Sequence, residues 1–158
     1  MRSIRYWQQL AVGEQFSAGP TTINKSDVIE FARDFDPQPY HLDAEAAEQS
    51  IFGGLCASGW QICALAMRLL SEALEAEGVV ILGSPGVPAL RWKRPLFAGE
   101  SVTAAIELTE LRAGPSHAPY SLAQFDLSLT NQNGQPVLSM QCDLMIDDRQ
   151  TTAENAHG

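Results

Sequence analysis

The chain has 158 residues, 45% of them apolar, and a formal charge of -9 from 10 basic and 19 acidic side chains. That length and apolar share fit one domain with a core of its own and exclude a chain disordered throughout. The acidity excludes a nucleic-acid binder, which needs a basic footprint to displace counterions.

In chain order, strands are expected near Gln15–Thr22, and then helices take over. Asn24 with Asp27 three residues on reads as an N-cap with an acidic first turn, opening a helix to about Asp34. Val28, Phe31, Ala32 and Phe35 recur along it at helical spacing. Pro37 stops it, Asp43 caps a second short helix over Ala44–Gln49, and Gly53-Gly54 marks a turn. Ser58 then caps a helix to about Ala76. Between Trp60 and Leu70 only Gln61 and Arg68 interrupt its apolar residues, which predicts a helix enclosed on every face. Its second half, Ser71 to Glu77, turns acidic and is expected to emerge into solvent.

The rest reads as strands. Short ones are expected near Val79–Leu82 and Ala89–Lys93. Three longer segments alternate apolar and polar residues: Val102 to Thr109, Ala123 to Thr130, and Leu138 to Ile146. Asn133-Gly134 is a hairpin signal between the last two. The economical fold is α+β, an antiparallel sheet curled around the apolar helix. Residues 1–146 form the single expected domain, and 147–158 a polar, frayed tail.

Three cysteines, Cys56, Cys63 and Cys142, cannot all pair within the chain, and its first residues carry charge but no apolar h-region. Reduced thiols in packing roles and a cytoplasmic location are expected. No uninterrupted apolar run approaches the length of a membrane span, so no membrane partner is expected. His41, His117 and His157 lie far apart with no zinc-like spacing, so no metal is expected.

The segment Asp34-Phe-Asp-Pro-Gln-Pro-Tyr-His-Leu-Asp43 crowds three carboxylates and a histidine around two prolines. Pro37 and Pro39 push Asp36 and Gln38 toward extended conformations, making a stiff loop suited to mounting an acid/base pair. Asp36 and His41 could then share a water, the imidazole moving protons near neutrality. In a strictly extended chain, positions five apart point to opposite faces, so this needs a turn. Without one, Asp43 is a helix cap and His41 a surface or packing residue. The helix start at Ser58-Gly59 offers unpaired N–H groups, and Gly59 can be approached closely, which suits an oxygen gaining charge on a thioester carbonyl. Ser58 also reads as an ordinary N-cap.

Asp36-Pro-Gln-Pro-Tyr-His41, Gly53-Gly54, Ala57-Ser-Gly59 and Arg94-Pro-Leu-Phe-Ala-Gly-Glu100 together resemble the MaoC-like acyl dehydratases, which include the (R)-specific enoyl-CoA hydratases. The resemblance runs from about Tyr6 to Ile146. It implies the hot-dog fold, a homodimer or larger homo-oligomer, and an acyl-CoA or acyl-carrier thioester as substrate, with CoA present only as part of that substrate. It also implies that Asp36 and His41 hold the catalytic water. Gly59, with Ser58 beside it, would face the thioester carbonyl, and Gln38, Tyr40 and Gly54 would contact substrate. The reaction implied is reversible hydration of a trans-2-enoyl thioester to a 3-hydroxyacyl thioester. A thioesterase, or a binding domain without turnover, would keep the same fold. The chain departs from the common pattern at Ser58, where His is frequent, and at Gln38, where Asn is frequent and Pro37 is extra. Arg91, Lys93 and Arg94 form the single basic cluster and could hold the CoA phosphates or simply protect a strand edge. Trp92 between them could pack inward while its neighbours face water.

Overall fold

A computed structural model describes residues 3–149. The elements run from a 3-10 turn at Trp7–Gln9 through β1 (Gln15–Thr22), α1 (Lys25–Phe35), α2 (Pro39–Leu42), α3 (Ala44–Glu48) and α4 (Gly59–Ala76). Four longer strands follow: β2 (Ile81–Trp92), β3 (Ser101–Arg112), β4 (Tyr120–Asn131) and β5 (Pro136–Asp147). All five strands form one antiparallel sheet in the order β1-β3-β4-β5-β2.

The period-two residues of β3, β4 and β5 point to one side and build the core. Paired positions place Phe16, Ile106, Leu127, Met140 and Leu90 in one row across the sheet. Leu108, Phe125 and Cys142 form the next row, and Phe125 meets Phe16 edge-on at 6.1 Å. Asn131 closes the β4–β5 turn, its side-chain oxygen accepting from the N–H of Asn133 and of Gln135, while Gly134 takes a φ of 74°. Glycine supplies the left-handed residue of the turn, while Asn133 keeps a negative φ, so the loop is not the two-residue type I′ turn of an Asn-Gly pair.

Helix α4 lies on this apolar face but is not enclosed all round. Ile62, Ala66, Leu69, Leu70, Ala73 and Leu74 form its buried stripe, while Trp60 is 60% exposed and Cys63, Leu65 and Met67 are half-buried. One sheet can cover only one side of a helix, so the remaining apolar surface faces outward. The acidic second half does not leave the core either. Ala73 and Leu74 remain buried there, with Glu72 and Glu75 on the opposite face.

Two boundaries differ from expectation. The two short strands join into one edge strand, β2, whose register with β5 shifts at three points around Gly83 and Gly86. Pro85 and Pro88 are tolerated because an edge strand leaves one row of N–H groups unneeded for pairing. Next, β5 continues to Asp147, which is buried and held by Arg149 at 2.9 Å, so the domain extends past Ile146. Of the tail expected to fray, residues 150–158 lie outside the described residues. Trp92, paired with the buried Leu138 at the end of β2, turns to the helix side of the sheet and bonds to Gly59, yet stays 44% exposed.

Candidate active site

The proline-rich segment bends as acid/base convergence requires. Asn24 caps α1 by accepting from the Asp27 N–H at 2.8 Å, and the helix ends at Asp36, whose own N–H still bonds to Ala32. The Asp36 carbonyl accepts from Gln38 at 2.8 Å. Gln38 is extended, as a residue before proline should be, and Pro39 opens a short helix, α2, where a stiff loop was expected. Proline has the φ of a first helical residue and lacks an N–H that would be unpaired there anyway. This single turn carries His41 back toward Asp36.

His41 is buried, and its Nε2 lies 3.5 Å from Asp36 Oδ2. Its Nδ1 lies 2.6 Å from the carbonyl oxygen of Cys56. A carbonyl only accepts, so Nδ1 carries a proton, and in the neutral ring the free lone pair is that of Nε2. Tyr40 sets its ring edge-on to the imidazole at 4.5 Å and is backed by Phe52 at 5.0 Å. Ser58 is fully buried. Its hydroxyl donates to Asp36 Oδ2 at 2.6 Å, and its oxygen accepts from the Trp60 N–H at 3.2 Å, capping α4.

A cavity of about 430 Å³ opens beside this pair, walled by Asp36, Tyr40, His41, Gly59, Lys93 and Arg94 among others. Gly59 is the first residue of α4, so its N–H has no partner within the helix. Trp92 donates its indole N–H to the Gly59 carbonyl at 2.8 Å and meets Trp60 edge-on at 5.2 Å. A second cavity, about 500 Å³, lies between α1 and α4 along Phe31, Phe35, Gln61 and Arg68 and contains no histidine or cysteine.

The sequence-predicted residues therefore divide. Asp36, Tyr40, His41, Gly59, Lys93 and Arg94 converge on one cavity. Ser58 stands behind Asp36, and its hydroxyl proton is committed to the carboxylate rather than to a carbonyl in the cavity. Gln38 is exposed and contributes its backbone carbonyl to the His41 N–H at 2.9 Å, not a side chain to the wall. Gly54 packs on Phe97 outside the cavity; a Cβ there would come within 3.3 Å of that ring. Arg91 points to the outer face of the sheet, near Asp126 and Ser139, because successive strand residues alternate sides. Missed by sequence reasoning are Phe52, Trp60 and Trp92, aromatic walls of the cavity. The only signal for them was their adjacency to Gly53, Gly59 and Lys93.

Burial pushes the Cys56 thiol above its ordinary value, with a backbone hydrogen bond opposing weakly, and burial likewise raises Cys63 and Cys142. All three are free. Protonated, desolvated thiols are poor nucleophiles, so Cys56 serves the site through its carbonyl.

A family model described as a MaoC-like domain matches residues 8–118. The chain belongs to the MaoC-like dehydratase family. The (R)-specific enoyl-CoA hydratase of Aeromonas caviae is 31% identical over 114 residues, covering 70% of this chain and 75% of that relative. A solved structure of an (R)-hydratase from A. caviae aligns with a TM-score of 0.68 at 28% identity over 87% of this chain and 97% of that one. A MaoC-like dehydratase from Rhodospirillum rubrum aligns with a TM-score of 0.80 at 31% identity, covering 93% of this chain and 99% of that one. The sheet and helix of this MaoC-like chain are thus the hot-dog fold, and its relatives mark the family as one of hydratases and dehydratases. Among the described residues, no helix is long and apolar enough to cross a membrane.

Proposed function

We propose that this MaoC-like protein adds water reversibly to a trans-2-enoyl thioester, giving a 3-hydroxyacyl thioester. The observation that carries the reading is the 3.5 Å approach of His41 Nε2 to Asp36 Oδ2 at the wall of a cavity that Gly59, the first residue of α4, also lines. A water between the two acceptors gives one hydrogen to each. As its oxygen bonds to Cβ, one water proton passes to His41 Nε2 and the Cα=Cβ electrons move into the thioester, making an enolate. The Gly59 N–H, at the positive end of α4, stabilises the oxygen that gains this charge. The imidazolium then returns its proton to Cα, and the hydrogen held by Asp36 remains on the product hydroxyl. Charge on the imidazolium is balanced throughout by the Asp36 carboxylate.

Lys93 and Arg94 in the cavity lining support a phosphate-bearing carrier such as CoA, since the chain is otherwise strongly acidic. The outward apolar surface of α4, with Trp60 60% exposed, supports a homodimer that covers it. A cytoplasmic setting fits an enzyme of CoA thioesters. The test is a panel of trans-2-enoyl-CoAs of different chain length, followed by enoyl absorbance together with a thiol reagent. Absorbance loss without thiol release, with a 3-hydroxyacyl product, is expected. Thiol release would replace the proposal with a thioesterase, and neither signal with any chain length would leave a binding domain.

A further inference from the structure

We infer that Ser58 is a positioning residue that locks the Asp36 carboxylate for catalysis, beyond its part as the cap of α4. The inference rests on the hydratase reading for its kinetic consequence, but the lock itself is a contact between two side chains. Ser58 is fully buried, and its hydroxyl donates to Asp36 Oδ2 at 2.6 Å. That is the short range of a hydrogen bond to an ionised acceptor. The same oxygen faces His41 Nε2 at 3.5 Å, so the contact acts on the atom the imidazole reads.

Asp36 is held at three points, two on its backbone and one on its carboxylate. Its N–H is held by Ala32 and its carbonyl by Gln38, both within α1 or the turn that follows, and Ser58 supplies the third hold from another element. Ser58 can do so because its oxygen accepts from the Trp60 N–H, which aims the hydroxyl hydrogen away from the helix and at the carboxylate. A chain of donors thus runs from the Trp60 amide through Ser58 to Asp36. It couples the start of α4, where the Gly59 N–H lies, to the end of α1, where the carboxylate lies. The amide and the carboxylate are thereby held in one frame, which is the requirement for a water and a carbonyl to be presented together.

The experiment separates the cap from the lock. Ser58→Gly keeps an acceptable cap but no donor; Ser58→Ala loses both; Ser58→Thr keeps both. Each is compared with wild type for melting temperature, kcat and KM on the best enoyl-CoA. A lock predicts that kcat falls about ten- to hundredfold in both the Ala and Gly variants with little change in KM, and that Thr restores it to within about threefold. In an Asp36→Asn background, Ser58→Ala should add nothing further. A capping role alone predicts that Gly behaves like wild type and that kcat follows melting temperature; either result overturns the inference. The carboxyl carbon resonance of Asp36 gives a readout free of turnover. It shifts in Ser58→Ala and returns in Ser58→Thr if the contact exists, and an unmoved resonance overturns the inference even when wild type hydrates no substrate tested.

Discussion

The indole of Trp92 occupies the space in front of Gly59: a Cβ built on that glycine would stand 2.7 Å from Trp92 Cε2 and 2.8 Å from Nε1. The indole N–H simultaneously donates to the Gly59 carbonyl. The glycine is needed here for close approach, since its φ is not in the left-handed region. Gly59→Ala should therefore displace the indole, costing about 1–3 kcal/mol of stability, and lower kcat by turning the first amide of α4. Adding Trp92→Ala should recover most of the stability, read by urea denaturation, because the clash lies with one side chain.

Removing either member of the acid/base pair should abolish turnover while leaving the fold intact. Asp36→Asn and His41→Ala are each expected to lower kcat by on the order of a thousandfold, with circular dichroism unchanged. Activity above a tenth of wild type in either variant would remove the pair from the mechanism.

The basic residues should separate by side of the sheet. Arg94→Ala and Lys93→Ala are expected to raise KM for a CoA thioester several-fold and to weaken its dependence on salt. Arg91→Ala, on the outer face with its guanidinium donating to the Leu90 carbonyl, should leave KM unchanged. Steady-state kinetics at two ionic strengths decide it.

At the far end of the sheet, hydrogen bonds from Arg149 hold the Asp147 carboxyl below its ordinary value, against the opposing effect of burial. A carboxyl lowered by folding adds stability above its unfolded pKa, near 4, and loses it as pH falls through the folded value. Arg149→Ala should thus lower the melting temperature at pH 7 more than at pH 3, where the gap closes. An equal gap at both would show that the pair contributes no linked protonation.

Phe125 is fully buried beneath Phe16, between Leu108 and Cys142. Phe125→Ala is expected to destabilise the domain by about 3–5 kcal/mol, measured by denaturant unfolding.

Much of the architecture was local and therefore readable. Alternation along β3, β4 and β5 marks a buried face in any context, because strand side chains change sides at every residue. Asn24 and Ser58 announced their helices because a cap bonds to the N–H groups immediately after it, and Asn133-Gly134 announced its turn because its glycine adopts the left-handed backbone angle the turn requires. The spacing of Asp36 and His41 named the candidate pair and, with the glycine-rich start of α4, the family.

Other features arose from atoms distant in sequence. Whether Asp36 and His41 meet depends on the turn of α2 and on Cys56, whose carbonyl fixes the imidazole from 15 residues away. That Ser58 serves a carboxylate 22 residues earlier, that Trp92 screens Gly59, and that Arg91 turns away from Lys93 and Arg94 all follow from how the β2 edge and the α1 end are set against α4. Periodicity reports which side chains share a face of their own element; only packing decides which faces of different elements meet.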